Sequence, residues 1–213
     1  MSREESAVVV IGGGGHAKVL ISVLRKLPWH IVGYTDLADR GALLGVPCLG
    51  DDAVLADLLL SHPGCAAILG VGKIDTSPRR LGLQQDLESL GFDFPIVVSP
   101  DAVVNAEVEF GPGTVVFDGT VVNVGTVTGK GCIVNTHATL EHDCRLGNNV
   151  HAAPGTTVSG GVTIGNHCVI GAGATIIQGL SICDDCLIGA GSVVTVDIMV
   201  PGTYAGAPAR RIG

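Results

Sequence analysis

Three consecutive ionisable residues, Glu141, His142 and Asp143, are the arrangement in the chain best suited to proton transfer. A carboxylate bonded to one imidazole nitrogen fixes the tautomer of the ring and makes the other nitrogen more basic, which is what a general base requires. An isolated Glu-His-Asp could equally be a solvated, charged corner. Comparable turns in the neighbouring sequence carry Gly, Asn or Asp, as ordinary turns do. The departure of Glu141, His142 and Asp143 from that pattern favours a catalytic role.

The triplet lies inside a long series of six-residue repeats that covers residues 103–204 and divides into 17 hexads. The second place of each hexad is apolar except at Thr128, and the last place is nearly always small or apolar. A period of six fits neither an α-helix nor a simple strand. It predicts a β-solenoid in which each hexad forms one short strand with an inward anchor and glycines turn the corners.

If three hexads close one triangular coil, equivalent places in successive coils stack at a strand spacing of ~4.8 Å. The series then makes somewhat under six coils, and places three to five of each hexad, including His142, face outward. The last hexad place holds four of the seven cysteines, which are predicted to pack as small buried hydrophobic residues: Cys132, Cys144, Cys168 and Cys186. Cys183 and Cys186 form only a weak redox motif because they share one hexad.

The segment before residue 99 has a different pattern, in which short apolar runs alternate with helical segments. Strands are predicted at Ala7–Ile11, Ile31–Asp36, Ala66–Gly70 and Pro95–Val98, and helices from the Gly12–His16 turn to Leu27, at Asp51–His62 and at Pro78–Leu90. This alternation predicts a small parallel α/β sheet. The expected domains are therefore residues 1–98, a Rossmann-like half, and residues 99–213, the solenoid with its C-terminal tail, with a hinge at Ser99 and Pro100.

Gly12-x-Gly14-x-x-Ala17 follows the first predicted strand, and Asp36 ends the next, which is the spacing of a nucleotide-binding turn. Bare backbone amides at a helix N-terminus would face a phosphate, and the carboxylate would face a sugar or base. Because the segment is only half the size of a dinucleotide fold, the pattern favours a nucleotide-sugar over NAD. Gly72 and Lys73, after the third predicted strand, could admit the ligand and supply positive charge.

The composition excludes several classes of partner. The chain has 213 residues, of which 46% are hydrophobic and 15% charged, with a net charge of -8. This charge gives no general attraction to nucleic acid or to anionic membranes. No apolar run is long enough to span a bilayer, and the first residues lack a signal-peptide core. We therefore expect a soluble, cytoplasmic protein without membrane insertion.

The Gly12–His16 turn, the hexad with Glu141, His142 and Asp143, and the tail Ala205–Arg210 together resemble the bacterial nucleotide-sugar N-acetyltransferases of the hexapeptide-repeat family. Similar enzymes are the GDP-perosamine and UDP-4-amino-sugar acetyltransferases, which act in surface polysaccharide and glycan biosynthesis. The resemblance covers essentially the whole chain. It implies a left-handed β-helix, acetyl-CoA as co-substrate, no metal requirement, and a homotrimer with acetyl-CoA between neighbouring subunits.

The same resemblance implies individual roles. His142 would be the catalytic base, Asp143 would orient it, and the amide of Gly160, one coil further, would face the acyl oxygen. Some relatives have Glu where this chain has Asp143, whose shorter arm leaves the hydrogen bond to His142 less certain. The expected coenzyme A contacts are His151, Ala172, Ala190 and Arg210. The expected nucleotide-sugar contacts are Gly14, Gly15, His16 and Asp36, beside Gly72 and Lys73.

Three alternatives stay open. His142 could deprotonate a hydroxyl, as in a sugar O-acetyltransferase of the sialic acid type, or the chain could bind a nucleotide-sugar without catalysis. A zinc carbonic anhydrase would also use a solenoid, with His137 and His142 as ligands, but Asp101 occupies the position of its third histidine. The sequence specifies neither the base nor the sugar. A trimer is favoured because apolar corners such as Phe117 and Ile177 are expected to be exposed.

Overall fold

The structure is a computed structural model that describes residues 6–212. The N-terminal part forms a parallel four-stranded sheet in the order β3-β2-β1-β4. Its elements are β1 (Ser6–Ile11), α1 (Gly15–Leu24), β2 (Trp29–Thr35), β3 (Cys48–Gly50), a 3-10 turn (Asp52–Val54), α2 (Leu55–Ser61), β4 (Ala66–Leu69) and α3 (Arg79–Leu90). The predicted parallel α/β sheet is confirmed.

Alternate residues of the central strands form one hydrophobic core of this sheet. Val9, Ile11, Ala67 and Leu69 are buried together with residues of α2, of α3 and of the segment that follows α3. The apolar run at β1 therefore serves both faces of the sheet, since Val8 and Val10 are also fully buried. A parallel sheet covered on both faces requires such a continuous apolar strand.

The remaining strands form three parallel stacks. The first stack contains β5 (Val97–Val98), β7 (Val115–Val116), β10 (Ile133–Val134), β13 (His151–Ala152), β16 (Val169–Ile170), β19 (Cys186–Ile188), β21 (Gly202–Ala205) and β22 (Arg210–Ile212), the last antiparallel to its neighbour. The second contains β6 (Val103–Val104), β8 (Val121–Val122), β11 (Thr139–Leu140), β14 (Thr157–Val158), β17 (Thr175–Ile176) and β20 (Val193–Val194). The third contains β9 (Val127–Thr128), β12 (Arg145–Leu146), β15 (Thr163–Ile164) and β18 (Ser181–Ile182).

The register confirms the predicted coil of three hexads. Ile133 pairs with Val115 on one side and with His151 on the other, and each partner lies three hexads away along the chain. The second hexad places from Val116 to Val194 are all buried, and so are the four cysteines of the last place. The one polar anchor, Thr128, is also buried, and its hydroxyl has no hydrogen-bond partner among the described residues.

The last coil departs from the hexad pattern. Ile198 forms a bridge with Ile182, and Tyr204 pairs with Ile188, so this coil is shorter than the three hexads that close each earlier one. Val200, the predicted inward anchor of the final hexad, is consequently 51% exposed. Strands β21 and β22 instead fold back as an antiparallel pair that follows the last regular coil.

Two sequence expectations differ from the structure. The strand predicted at Pro95–Val98 is only β5, and it pairs with β7 in the solenoid, while the α/β sheet takes its fourth strand from the unpredicted β3. Phe117 is not an exposed corner: it is 1% exposed, so the apolar-corner argument cannot rest on it, and Ile177 is half-buried.

The described residues group into two compact units. The first comprises residues up to Gly72 and the stretch Gly82–Pro95, and the second comprises Lys73–Leu81 and the chain from Ile96 onward. A domain boundary between residues 98 and 99 stays a prediction. Between residues 6 and 212 no helix is both long and apolar enough to cross a membrane.

Candidate active site

His142 lies at the corner between β11 and β12, in the second compact unit. The corner is held by backbone hydrogen bonds to the coils on both sides: Asp143 N–H donates to Val124 O (3.0 Å), and Gly161 N–H donates to His142 O (2.8 Å). Asp143 has a φ of 59°, a left-handed conformation that Asp tolerates better than most side chains. The turn therefore projects both side chains away from the core.

The imidazole of His142 and the carboxylate of Asp143 form a hydrogen-bonded pair. His142 Nδ1 lies 2.9 Å from Asp143 Oδ2. Because a carboxylate oxygen only accepts, Nδ1 must carry the hydrogen, and the lone pair of the neutral ring is on Nε2. The shorter arm of Asp143 is thus long enough, and the side chains remain 58% and 72% exposed in the single chain.

Gly160 lies directly beside the free edge of this ring, one coil further along. A methyl group built on Gly160 would overlap His142 Nε2 and Cε1. The N–H of Gly160 donates to no backbone carbonyl among the described residues, because the inter-coil bond at this corner comes from Gly161. The structure therefore brings together the three predicted residues His142, Asp143 and Gly160.

The carboxylate of Glu141 is bonded to a neighbouring coil and not to the imidazole of His142. Its Oε2 accepts from Asn123 Nδ2 (2.9 Å), and Asn123 Oδ1 accepts from Asn105 Nδ2 (2.9 Å). These three residues occupy the third hexad place in successive coils, so an Asn-Asn-Glu ladder runs along one edge up to the site. The ladder was not predicted from the sequence, although the recurrence of polar residues at one hexad place was a sufficient signal.

His151, the first residue of β13, is 9% exposed and has both ring nitrogens engaged. Its Nδ1 lies 2.6 Å from Lys73 O, and its Nε2 lies 3.0 Å from Asn135 Nδ2. A carbonyl only accepts, so Nδ1 carries the hydrogen and Nε2 is the acceptor for the Asn135 amide. Burial lowers the pKa of His151 to about 4, and the nearby charges of Arg80 and Lys73 act in the same direction.

The segment that carries Lys73 is fastened to the solenoid by further bonds. Asn149 Nδ2 donates to Ser77 O (3.3 Å), and the buried guanidinium of Arg80 donates to Gly131 O. Lys73 Nζ is itself buried and donates to Ser77 O (3.2 Å), and its pKa is lowered by burial. Lys73 therefore stands in the second compact unit, as a structural cation beside His151.

The other predicted coenzyme A contacts lie elsewhere on the solenoid. Ala172 and Ala190 are exposed at one corner in successive coils, joined by a bond from Gly191 N–H to Ala172 O (2.8 Å). Arg210, in β22, lines an open depression of about 200 Å³ with Asp197 and Tyr204. No contact in the described part of the chain joins these residues to His142.

The glycine turn leaves the start of α1 open. Helix α1 begins at Gly15, and Gly14 is its N-cap with an extended backbone at a φ of -80°. Methyl groups built on Gly14 or Gly15 would meet no atom within 4 Å, so open space surrounds this helix end. Gly72 packs against His16, since a methyl group on Gly72 would lie 3.3 Å from His16 Cβ.

Asp36 lies at the edge of an open cleft of about 240 Å³, which we call the Asp36 cleft. Its lining includes the polar residues Thr35, Asp36 and Asp52 and the apolar residues Ile11, Val71 and Leu83. The amide hydrogens of Ala38 and Gly13 bond the carboxylate of Asp36 and lower its pKa. Thr35 and Asp52 were not singled out from the sequence, because neither belongs to the glycine motif.

Within the part of the chain that the structure describes, no group of three or more His, Cys, Asp or Glu residues is placed to hold a metal ion. His137 and His142 stand at different corners of the solenoid. His137 is opposite Gly119, and His142 is opposite Gly160. Among the described residues His137 and His142 therefore do not belong to one three-ligand group.

Comparisons with known proteins agree with this architecture. The PglD N-terminal domain family matches residues 7–79, the bacterial transferase hexapeptide family matches residues 143–178, and the hexapeptide repeat of succinyl-transferase matches residues 161–196. No curated protein sequence matches the chain. These families define a transferase built on a left-handed β-helix with a PglD-type α/β domain before it.

Solved structures match over the full length. Perosamine N-acetyltransferase from Caulobacter crescentus, in complex with CoA and GDP-perosamine, is 35% identical, with 100% of each chain covered and a TM-score of 0.91. The acetyltransferase domain of PglB from Neisseria gonorrhoeae is 34% identical, with 97% of this chain and 99% of that chain covered and a TM-score of 0.87. WeeI from Acinetobacter baumannii is 29% identical, with 97% and 100% covered and a TM-score of 0.85. The chain belongs to the hexapeptide-repeat sugar N-acetyltransferases that include perosamine N-acetyltransferase.

The contact between Gly160 and the His142 ring gives a first prediction. Gly160→Ala should displace the ring from its present position and lower kcat by about 10- to 1,000-fold, because small misplacements of catalytic groups are costly. Gly82→Ala, in α3, meets no atom within 4 Å and should leave kcat unchanged. Steady-state kinetics and thermal melting of both variants check this. A Gly160→Ala enzyme with normal kcat would contradict the assigned geometry.

The bonding of His151 gives a second prediction. The neutral tautomer with hydrogen on Nδ1 should persist from pH 8 to pH 5 and titrate only toward a pKa of about 4. The unfolded state, with an ordinary pKa of ~6.5, binds more protons in this range, so this group's contribution of roughly 3 kcal/mol is complete above pH 6.5 and is lost toward pH 4. Long-range ¹H–¹⁵N NMR correlations measure this directly, and His151→Asn assigns the signal. A midpoint above pH 6 would contradict the bonding.

Proposed function

We propose that the protein transfers an acetyl group from acetyl-CoA to the amino group of a nucleotide-linked 4-amino-deoxy sugar, with His142 as the base. The carrying observation is the hydrogen-bonded pair of His142 and Asp143 with its free Nε2 beside Gly160. The full-length similarity to perosamine N-acetyltransferase bound to CoA and GDP-perosamine supports the substrates. Two further solved structures of that relative, also in complex with CoA and GDP-perosamine, have one histidine replaced by asparagine or alanine.

The chemistry follows from the positions of the hydrogens. A 4-amino sugar is mostly an ammonium ion at neutral pH, and the nitrogen can attack only after it loses a proton. After that proton has passed to solvent, Nε2 of His142 accepts a second one as the free amine forms a bond to the thioester carbon, and Asp143 compensates the positive charge of the ring. The tetrahedral intermediate carries an oxyanion, for which the uncommitted N–H of Gly160 is a donor.

The intermediate collapses when the carbon–sulfur bond breaks. The thiolate of coenzyme A leaves and takes the proton from His142, which returns the ring to its starting tautomer. The products are the N-acetylated sugar and the free thiol. O-acetylation would use the same steps on a hydroxyl, but the similarity to N-acetyltransferases favours the amine.

The N-terminal turn supplies the nucleotide-sugar side of this proposal. Gly14, Gly15 and His16 present the start of α1 to open space, as binding of a diphosphate requires. Ala172, Ala190 and Arg210 are proposed for coenzyme A by family resemblance. His151, whose two ring nitrogens are both bonded within the protein, is proposed for coenzyme A binding by the same resemblance. A cytoplasmic location suits both activated substrates.

Direct assay of the base is the third prediction. His142→Ala should lower kcat by roughly two to four orders of magnitude in a thiol-release assay with acetyl-CoA and a panel of nucleotide-linked amino and hydroxy sugars. Asp143→Asn should cost less, because the ring remains in place. The deficit of His142→Ala should shrink as pH rises, since hydroxide and free amine replace the base. A deficit that stays constant up to pH 9.5, or a near-normal kcat at pH 7, would show that the proton leaves by another route.

We also propose that the enzyme is a homotrimer. The residues at the fourth hexad place of successive coils form one column at the corner of His142. This column includes Val124 and Val196, which are 42% and 57% exposed in the single chain. Apolar side chains on both sides of an open active-site corner are better covered by a neighbouring subunit, which would also exclude water from the reaction. The hexapeptide-repeat family match supports this assembly.

The fourth prediction follows from these apolar residues. Sedimentation at micromolar concentration should give three times the chain mass of 21.5 kDa. Val124→Glu should weaken the trimer and lower activity together, because a buried carboxylate without a partner is costly. Val19→Glu, at a residue 45% exposed on α1, should leave the trimer intact. A monodisperse wild-type monomer would overturn the proposal.

A further inference from the structure

We propose that the Asp36 cleft binds the nucleotide base, that the base is guanine, and that Asp52 is the residue that recognises it. This rests on the proposed function only for the presence of a nucleotide in the N-terminal unit. All the residues that carry the argument belong to that unit.

The polar side chains of the Asp36 cleft present acceptors. Asp36 has three protein donors: Oδ2 accepts from Gly13 N–H (2.8 Å) and Arg40 Nε (3.2 Å), and Oδ1 accepts from Ala38 N–H (3.0 Å). Its carboxylate therefore shapes the glycine turn. A carboxylate of the lining that has fewer protein donors is the better candidate for recognising the base.

Asp52 is that group because a hydrogen bond fixes one oxygen of its carboxylate, while the other oxygen has no protein donor among the described residues. Oδ1 accepts from the hydroxyl of Thr35 at 2.6 Å, and Thr35 is fully buried at the end of β2. The hydroxyl of Thr35 therefore donates to the protein and is not available to a ligand. Oδ2 of Asp52 has no protein donor among the described residues, and the residue is exposed at the cleft.

A fixed carboxylate discriminates between bases by their hydrogen-bond edges. Guanine offers two adjacent donors, N1–H and N2–H, which match the two oxygens of a carboxylate and form charge-assisted bonds. Uracil offers a single N3–H between two carbonyl oxygens, which the negative charge repels. The side chains of Ile11, Val71 and Leu83 provide apolar surface for the flat faces of the ring.

The fifth prediction tests this with nucleoside diphosphates alone, by isothermal titration calorimetry. Wild-type protein should bind GDP about 10- to 100-fold more tightly than IDP, which lacks the 2-amino group, and at least about 10-fold more tightly than UDP. Asp52→Asn should weaken GDP binding until GDP and IDP bind equally. Asp57→Asn, an exposed carboxylate on α2, should retain the wild-type ratio.

A second pair of variants protects the test against a misfolded Asp52→Asn protein. Thr35→Ser keeps the hydroxyl that holds Asp52 and should keep the GDP preference, whereas Thr35→Val should lose most of it; circular dichroism melts verify folding. UDP binding as tight as GDP, equal wild-type affinities for GDP and IDP, or an unchanged ratio in Asp52→Asn would each overturn the proposal. Thiol release with a UDP-linked amino sugar would refute guanine but uphold the acetyltransferase, and GDP selectivity without any thiol release would do the reverse.

Discussion

Backbone hydrogen bonds between neighbouring coils determine where every outward side chain of the solenoid stands. Amides on the strands donate to carbonyls of the next coil at 2.7–3.2 Å, so side chains at the same hexad place form columns. Gly160 consequently faces the ring of His142, and Asn123 faces Glu141. The proposed site needs no long loop for its preorganisation, because the column spacing fixes His142, Asp143 and Gly160 together.

The same stacking requires a left-handed residue at each corner, and this requirement limits which residues can do chemistry. Most corners use glycine, but Asp143, His137 and Asp185 adopt φ values of 56–59°. A non-glycine residue in this region has a conformational cost, which the surrounding hydrogen bonds overcome. At Asp143 this backbone conformation directs the carboxylate at His142 Nδ1. At His137 the ring only stacks on the glycine one coil earlier.

The sequence was sufficient for the solenoid because its period is strict and the inward anchors are apolar. It was also sufficient to predict that His142, Asp143 and Gly160 lie together, because place and coil follow from residue number. The sequence pattern did not predict the last coil, because the composition of the last two hexads does not indicate that this coil is shorter and leaves Val200 exposed. It failed again at β3, a very short strand, and at Phe117, whose burial depends on tertiary packing. Asn135 and Asp52 were missed because each bonds a side chain 16 or 17 residues away in sequence.

His151 and His142 of the solenoid are the same residue type, but their surroundings give the two rings different properties. His151 is buried, its Nδ1 hydrogen is held by a carbonyl, and burial disfavours its charged form strongly enough to bring its pKa to about 4. Its Nε2 already accepts from Asn135, and the ring does not take up a second proton at neutral pH. His142 has a carboxylate where His151 has a carbonyl, so the charge of an imidazolium would be compensated. A base in acyl transfer must take a proton from the amine and keep it until the thiolate leaves. Burial is the main difference between the two rings, since His151 is buried and neutral whereas His142 is exposed beside a carboxylate, as the proposed base requires.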